Sequence, residues 1–96
     1  MTYIKVQWLH DSLSEPVLLY SELDADRFEV RKIEVFANRR HGYAADGFEK
    51  GGSHLGVEPV PPLSEIGRDP QFVPVEIEAS EFEAVWRRAT DEHETP

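Results

Sequence analysis

The sequence predicts an α+β fold: an antiparallel β-sheet meander with one C-terminal α-helix packed on one face. Two observations support this prediction. The first half of the chain contains short strand-like runs separated by turn-forming residues, which is typical of consecutive antiparallel strands. The C-terminal segment carries one amphipathic helical stripe, and its aromatic side chains need a second layer to bury them.

The first predicted strand, residues 3–9, alternates in character. Ile4, Val6 and Trp8 share one face, and the more polar positions between them share the other. This period of two indicates a half-buried strand. Residues 10–14 then form a turn. The second predicted strand, residues 16–23, has apolar side chains at both parities, so both faces of the sheet are expected to be partly apolar.

The third predicted strand, residues 27–36, follows a turn at residues 24–26. Its apolar residues change phase: Phe28 and Val30 have even parity, whereas Ile33 and Val35 have odd parity. A β-bulge near residues 31–32 would return both pairs to one face, because a bulge places two residues opposite one. Coverage of both faces by other segments is the alternative explanation.

The second half of the chain is predicted to contain less regular structure. A turn at residues 37–42 leads into a fourth strand at 43–46, followed by an irregular, glycine- and proline-rich segment to residue 62. Residues 63–68 form a helical turn or two. A fifth strand spans residues 72–78, and Pro74 places it at a sheet edge because proline has no backbone donor. The 47–70 segment is expected to cover part of the face opposite the helix.

The final helix has the clearest local signals. Ser80 and Glu83 match a capping box, with Ser80 as the N-cap. The buried stripe then follows i, i+3, i+4 and i+7 spacing along the helix: Phe82, Val85, Trp86 and Ala89. Residues 91–96 are expected to fray. The chain is therefore predicted to be a single domain over residues 1–96, with an ordered core at about 3–90.

Composition narrows the class of protein. There is no cysteine, which excludes disulfides and thiolate metal sites. The N-terminus has no long apolar run and no window reaches the ~20 apolar residues of a membrane span, so a soluble, cytoplasmic protein without membrane contact is expected. The four histidines lack the short paired spacing of a zinc site, and no metal or other cofactor is predicted.

Charge is distributed unevenly along the chain. The formal net charge is −9; residues 1–46 carry 6 basic and 8 acidic side chains, and residues 47–96 carry 4 basic and 11 acidic ones. This field disfavours DNA or RNA as a partner and permits a basic protein partner. The simpler interpretation is that net acidity only aids solubility.

Several segments carry a recognisable pattern: residues 3–6 with Trp8, His10 and Asp11, then 15–17, 19–24, and Arg27 with 29–32, with further similarity at 42–44, 51–52, 55–56, 58–59 and 82–86. Together they resemble a family of small bacterial domains of unknown function. The resemblance covers nearly the whole chain, about residues 3–90. The resemblance implies a bacterial, single-domain, soluble protein, and it implies no catalytic residues.

Two groups of candidate catalytic residues stand out. His10 and Asp11 end the first strand, and Glu22, Asp24 and Arg27 surround the second turn. Two carboxylates beside an arginine can perform general acid–base chemistry when burial raises one pKa. The structural alternative is that the acids cap backbone amides while Arg27 pairs with one of them.

A meander suggests a different grouping, because its first and third connections lie at the same end of the sheet. His10 and Asp11 would then lie near Arg39, Arg40 and His41, which together could hold a phosphate or a carboxylate. The structural alternative is that these turn residues are simply solvated.

The leading functional hypothesis is a protein-binding or accessory module, one version being an immunity- or antitoxin-like neutraliser of a basic partner. The alternative is a small enzyme or anion-binding protein that uses the turns at His10/Asp11 and Arg39–His41. A homodimer formed through the uncovered sheet face is a third hypothesis.

Overall fold

The computed structural model describes residues 1–94 and shows an open antiparallel sheet of six strands. The strand order is β5-β4-β3-β2-β1-β6, so the first five strands form a meander and the last strand pairs with the first. The elements are β1 (Thr2–Trp8), β2 (Leu18–Leu23), β3 (Glu29–Val35), β4 (His41–Ala45), β5 (Phe48–Lys50), α1 (Leu63–Ile66), β6 (Phe72–Ile77) and α2 (Ala79–Glu94).

The predicted α+β meander with a C-terminal helix on one face is confirmed. β6 is an edge strand that pairs only with β1, as Pro74 predicts. Residues 48–50 are predicted to be irregular, and that prediction is wrong, because they form the short strand β5. Asp46-Gly47 forms a tight hairpin in which Gly47 has a φ of 92°, and this dipeptide is a known signal for such turns.

Helix α2 packs its apolar stripe on one face of the sheet. Phe82 and Ala89 have no exposed surface and pack with Tyr20, Ile33 and Tyr43. Trp86 is half-buried against this cluster, and its ring meets that of Tyr43 edge-on at 5.2 Å. The sheet therefore provides the second layer that the two aromatic residues of the stripe need in order to be buried.

The opposite face of the sheet has its own smaller core. Ile4, Val6 and Leu23 are buried there, and side chains from the 60–72 segment pack against them. Coverage of this face by that segment is confirmed. It also explains the apolar residues at both parities of β2, because each parity serves a different core.

The β-bulge predicted in β3 is present, one residue earlier than expected. Leu23 pairs with Glu29 and Glu22 pairs with Arg31, so Val30 is the additional residue. The bulge does not bring Phe28 into the core, since 39% of Phe28 remains exposed. Its effect is to place Glu29 on the same sheet face as Lys32, where the two side chains form an ion pair.

The start of α2 differs from the predicted capping box. The helix begins at Ala79, and the amides of Glu81 and Phe82 donate to the carbonyl of Glu78, so Ser80 lies in the first turn. The Glu83 carboxylate binds Arg31 and therefore does not close a capping box.

The far end of the helix extends beyond the predicted core. It continues to Glu94, and Glu92 accepts hydrogen bonds from His41; the last two residues of the predicted fraying tail lie outside the described part of the chain. None of the helices described is long and apolar enough to cross a bilayer.

Candidate functional site

A cleft of about 440 Å³ lies in the sheet face opposite α2. We call it the apolar cleft. Its floor is formed by Ile4 and Val6 of β1 and Leu19 of β2, which alternate onto this face. Its cover is formed by Val60 and Ile66, and Phe72 of the edge strand β6 lines it from the sheet.

The cleft exists because this face is incompletely covered. The covering segment is rich in proline and glycine, and its only helix, α1, is four residues long. Such a segment supplies few apolar side chains, whereas α2 supplies a continuous stripe to the other face. A recess therefore remains between the sheet and its cover.

Arg27 anchors the cover to the sheet. Its Nε donates to the carbonyl of Val60 at 2.7 Å and its Nη2 donates to that of Pro61 at 2.8 Å. The Val60 amide returns a hydrogen bond of 2.8 Å to the Arg27 carbonyl. Arg27 adopts a φ of 69°, a left-handed conformation that is unfavourable for a residue with a side chain. These three hydrogen bonds offset that strain.

A polar cluster lies beside the apolar lining. The Glu29 carboxylate accepts hydrogen bonds from the Ser21 hydroxyl at 2.9 Å and from the Gly56 amide at 2.6 Å. The Lys32 ammonium lies 3.3 Å from the same carboxylate. Both charged side chains are largely buried, with 8% of Glu29 and 16% of Lys32 exposed. Their pairing offsets the cost of removing each charge from water.

Two further acids line the cleft from the covering side. Glu65 lies in α1, and Asp69 lies between α1 and β6. Asp69 accepts a hydrogen bond from the Gln71 amide at 2.9 Å, which holds the turn before β6. Both residues are exposed, so their carboxylates are available to solvent at the cleft.

His10 performs a structural task in the loop between β1 and β2. Its Nδ1 accepts a hydrogen bond from the Ser12 amide at 3.0 Å, so its Nε2 donates to the Pro16 carbonyl at 2.8 Å. Its ring also meets the Trp8 ring edge-on at 4.6 Å. Asp11 is exposed. Neither residue lines the apolar cleft.

The residues predicted around the second turn separate from one another. Asp24 accepts hydrogen bonds from the amides of Asp26 and Phe28, which is the backbone-capping alternative. Arg27 binds carbonyl groups of the cover instead of pairing with either acid, so that part of the alternative is wrong. Glu22 is buried on the helix face.

Arg39, Arg40 and His41 also have separate surroundings. Arg39 and Arg40 are exposed, and the guanidinium of Arg40 lies 4.8 Å from the centre of the Phe36 ring. His41 is buried, and Glu92 accepts hydrogen bonds from its amide at 2.8 Å and its ring Nδ1 at 3.1 Å. None of the three lines the apolar cleft.

The strongest charged network lies on the helix face and joins the sheet to α2. Arg31 donates to Glu22 at 2.6 and 3.1 Å and to Glu83 at 2.7 and 3.0 Å, and Tyr3 donates to Glu22 at 2.8 Å. The Arg31 guanidinium also lies 4.9 Å from the centres of the Phe82 and Trp86 rings.

These contacts shift the pKa values of the network in directions that follow from the geometry. Hydrogen bonds from Arg31 hold the pKa of Glu22 below its usual range despite burial, and they lower the pKa of Glu83 in the same way. The hydrogen bond to Glu22 and burial raise the pKa of Tyr3. The network is fully paired, so it is a structural tie between β3 and α2.

The described residues bring together no group of three or more histidine, cysteine, aspartate or glutamate side chains suited to a metal ion. An apolar recess with fixed polar groups can desolvate the apolar part of a ligand and orient the rest.

The profile of a family described as "Domain of unknown function (DUF6881)" matches residues 2–91. The chain belongs to this family. No curated protein and no solved structure gives a significant match. The resemblance to a family of uncharacterised domains is thus confirmed, and membership of DUF6881 assigns no activity to the chain.

The sequence contained an indirect signal for the cleft of this DUF6881 domain. Strand β2 has apolar residues at both parities, which requires cover on two faces, and the chain provides only one amphipathic helix. The shortage of apolar side chains between residues 47 and 70 indicates incomplete cover. Which residues would line the resulting recess depends on the path of the covering segment, and no periodic pattern specifies that path.

Proposed function

We propose that this protein is a binding module and that its ligand inserts an apolar body into the apolar cleft. The observation that supports the proposal is the cavity of about 440 Å³ between the sheet and its cover. Ligand pockets commonly enclose about 300–1,000 Å³ and combine an apolar lining with a few fixed polar groups. The cleft has both, because Ser21, Glu29 and Lys32 lie beside its apolar wall.

Binding is favoured over catalysis by the state of the buried carboxylate. One Glu29 oxygen already accepts from Gly56 and lies near Lys32, and the other accepts from Ser21. A general base must come within hydrogen-bond distance of the substrate proton. Glu29 is largely buried and both of its oxygens bond to groups of the protein, so this carboxylate is better suited to hold the site's shape than to transfer protons.

A protein-binding role is the second candidate, including an immunity- or antitoxin-like neutraliser of a basic partner. The chain's net charge of −9, concentrated in residues 47–96, favours such a partner. An apolar side chain of the partner would occupy the same cleft. A second copy of this chain is a further form of partner, which light scattering at high concentration tests.

A cytoplasmic location is part of the proposal, because a chain without cysteine needs no oxidising compartment.

The test uses 1-octanol as a neutral probe and two matched strand variants. Leu19→Trp fills the cleft from its floor, whereas Val73→Trp adds the same ring at an exposed position of β6 that does not line the cleft. We expect Leu19→Trp to weaken octanol binding about tenfold or more, equivalent to about 1.4 kcal/mol, and Val73→Trp to leave it unchanged. A wild-type protein that does not bind octanol, or equal affinities for both variants, would overturn the proposal.

A further inference from the structure

The charges that line the apolar cleft are unbalanced. Three carboxylates and one ammonium line it, from Glu29, Glu65, Asp69 and Lys32, so its formal charge is −2. The ammonium does not offset the two acids of the cover, because it is paired with Glu29 at 3.3 Å. The excess negative charge therefore belongs to Glu65 and Asp69.

The two acids of the cover differ from Glu29 in their surroundings. Among the side chains that the structure describes, neither Glu65 nor Asp69 forms an ion pair, although Arg68 lies between them in sequence. The surrounding field reinforces their charge, because the whole chain carries −9. An anionic group entering the cleft would be repelled, whereas a cationic group would gain from both acids.

The position of the acids fits a ligand with two parts. Ile66 and Phe72 contribute apolar surface to the same cleft, and Glu65 and Asp69 flank Ile66 in sequence. A ligand whose apolar body contacts the recess would place an adjoining polar group beside these carboxylates. The aromatic ring of Phe72 is a further favourable neighbour for a cation.

We propose that the ligand of the apolar cleft is a cationic amphiphile, a small molecule with an apolar body and an amine that is protonated at neutral pH. The inference rests on the proposed function, since it identifies the ligand class of the same site. The apolar body would contact Ile4, Leu19 and Phe72. The ammonium would lie beside Glu65 and Asp69 and would remain partly hydrated.

Three probes with the same chain isolate the contribution of the charge: octylamine in its ammonium form, 1-octanol and octanoate. Dissociation constants are measured by NMR titration at pH 7 and low salt. We expect octylammonium to bind about three- to tenfold more tightly than octanol, which is the range for one or two partly exposed ion pairs, and octanoate to bind most weakly. The preference should shrink in 0.5 M NaCl because salt screens exposed charges.

The variant Glu65→Gln/Asp69→Asn identifies the groups responsible. With both probes measured on this variant, the ratio of the octylammonium and octanol affinities should fall to about one. The control Asp46→Asn/Glu49→Gln removes the same charge from the β4–β5 hairpin at the opposite edge of the sheet. The control should retain the preference for octylammonium.

The outcomes separate this inference from the proposed function. If octanol binds in the cleft and octylammonium binds no more tightly, the cationic ligand class is wrong and the binding module stands. The same conclusion follows if both double variants lose the preference equally, because the effect would then come from net charge alone. If octanol does not bind, the proposed function itself fails.

Discussion

Arg31 on the third strand and Glu83 on the C-terminal helix are joined by two hydrogen bonds of 2.7 and 3.0 Å. The same guanidinium lies against the rings of Phe82 and Trp86, so a charged contact and an aromatic contact meet at one side chain. This relationship fixes the helix over β3. Because α2 lies on this face, the opposite face is covered only by the less regular segment that bounds the apolar cleft.

Loss of Arg31 should destabilise the fold strongly. Arg31→Ala leaves the buried Glu22 carboxylate without its cationic partner, and removing one partner of a buried ion pair costs about 3–5 kcal/mol. Since 19% of Arg31 is exposed, we expect a value near the lower end of that range in a urea titration. Glu83→Gln is the control, because Glu83 is 45% exposed and its exposed pair contributes at most about 1 kcal/mol. Equal losses for the two variants would contradict the assigned role of Glu22.

Acid should remove the stability that this network provides. Arg31 lowers the folded-state pKa values of Glu22 and Glu83, so each carboxylate stabilises the fold above its unfolded pKa of about 4.3. That contribution is lost as pH falls from there through the lowered folded-state pKa values. Urea midpoints measured between pH 7 and pH 2.5 should show a steeper acid decline in the wild type than in a Glu22→Gln/Glu83→Gln variant. Parallel declines would show that other carboxylates dominate.

Alkaline conditions should also destabilise the protein, with the opposite sign of linkage. Burial raises the pKa of Tyr20, and the hydrogen bond to Glu22 raises that of Tyr3. A raised folded-state pKa gives stability that is complete below the unfolded value of about 10 and is lost as pH rises through the folded value. Tyr3→Phe should therefore reduce the loss of stability above pH 10, as measured by urea midpoints at pH 9 and pH 11. An unchanged loss would contradict the Tyr3 contribution.

Phe82 should contribute more to stability than Trp86, despite its smaller ring. Phe82 is fully buried, and Phe→Ala changes in cores cost about 3–5 kcal/mol. Trp86 is half-buried and packs edge-on against Tyr43, so Trp86→Ala should cost less than Phe82→Ala. Urea titrations of both variants give the comparison. A larger loss for Trp86→Ala would show that the helix is centred on a different residue.

Arg27 should control the cover of the apolar cleft. Arg27→Ala removes two side-chain hydrogen bonds to Val60 and Pro61, so amide exchange at Val60 should accelerate and octanol affinity should fall. Arg39→Ala is a close control, because Arg39 has the same φ of 69° and lies in the exposed turn at the opposite end of β3. It changes the same residue in the same backbone conformation without touching the cover. Equal effects of the two variants on octanol binding would contradict the anchoring role.

Features that depend on residues close together in sequence are predicted better than features that depend on contacts between distant residues. Alternation in β1 and the helical stripe around Phe82 depend on neighbours within a few residues, and both were predicted correctly. The short β5 depends on the Asp46-Gly47 turn, a local hairpin signal that the prediction of an irregular segment after residue 46 does not use. The capping box failed because Glu83 found a more favourable partner in Arg31, far away in sequence.

The candidate site was less predictable, because its residues come from distant segments. His10 and Asp24 have chemically versatile side chains, yet each satisfies nearby backbone groups. The cleft instead joins Ile4 and Leu19 to Ile66 through a cover held by side-chain bonds to carbonyl groups. Every residue has a backbone carbonyl, so hydrogen bonds of this kind do not require particular residue types and cannot be predicted from the sequence.

The most direct test of the central claim is to locate octanol on the protein by intermolecular nuclear Overhauser effects. The apolar cleft as binding site predicts contacts between the octyl chain and the methyl groups of Ile4, Leu19 and Ile66. The exposed methyl groups of Val73 and Val75 on β6 should show none. Contacts confined to Val73 and Val75 would contradict the claim.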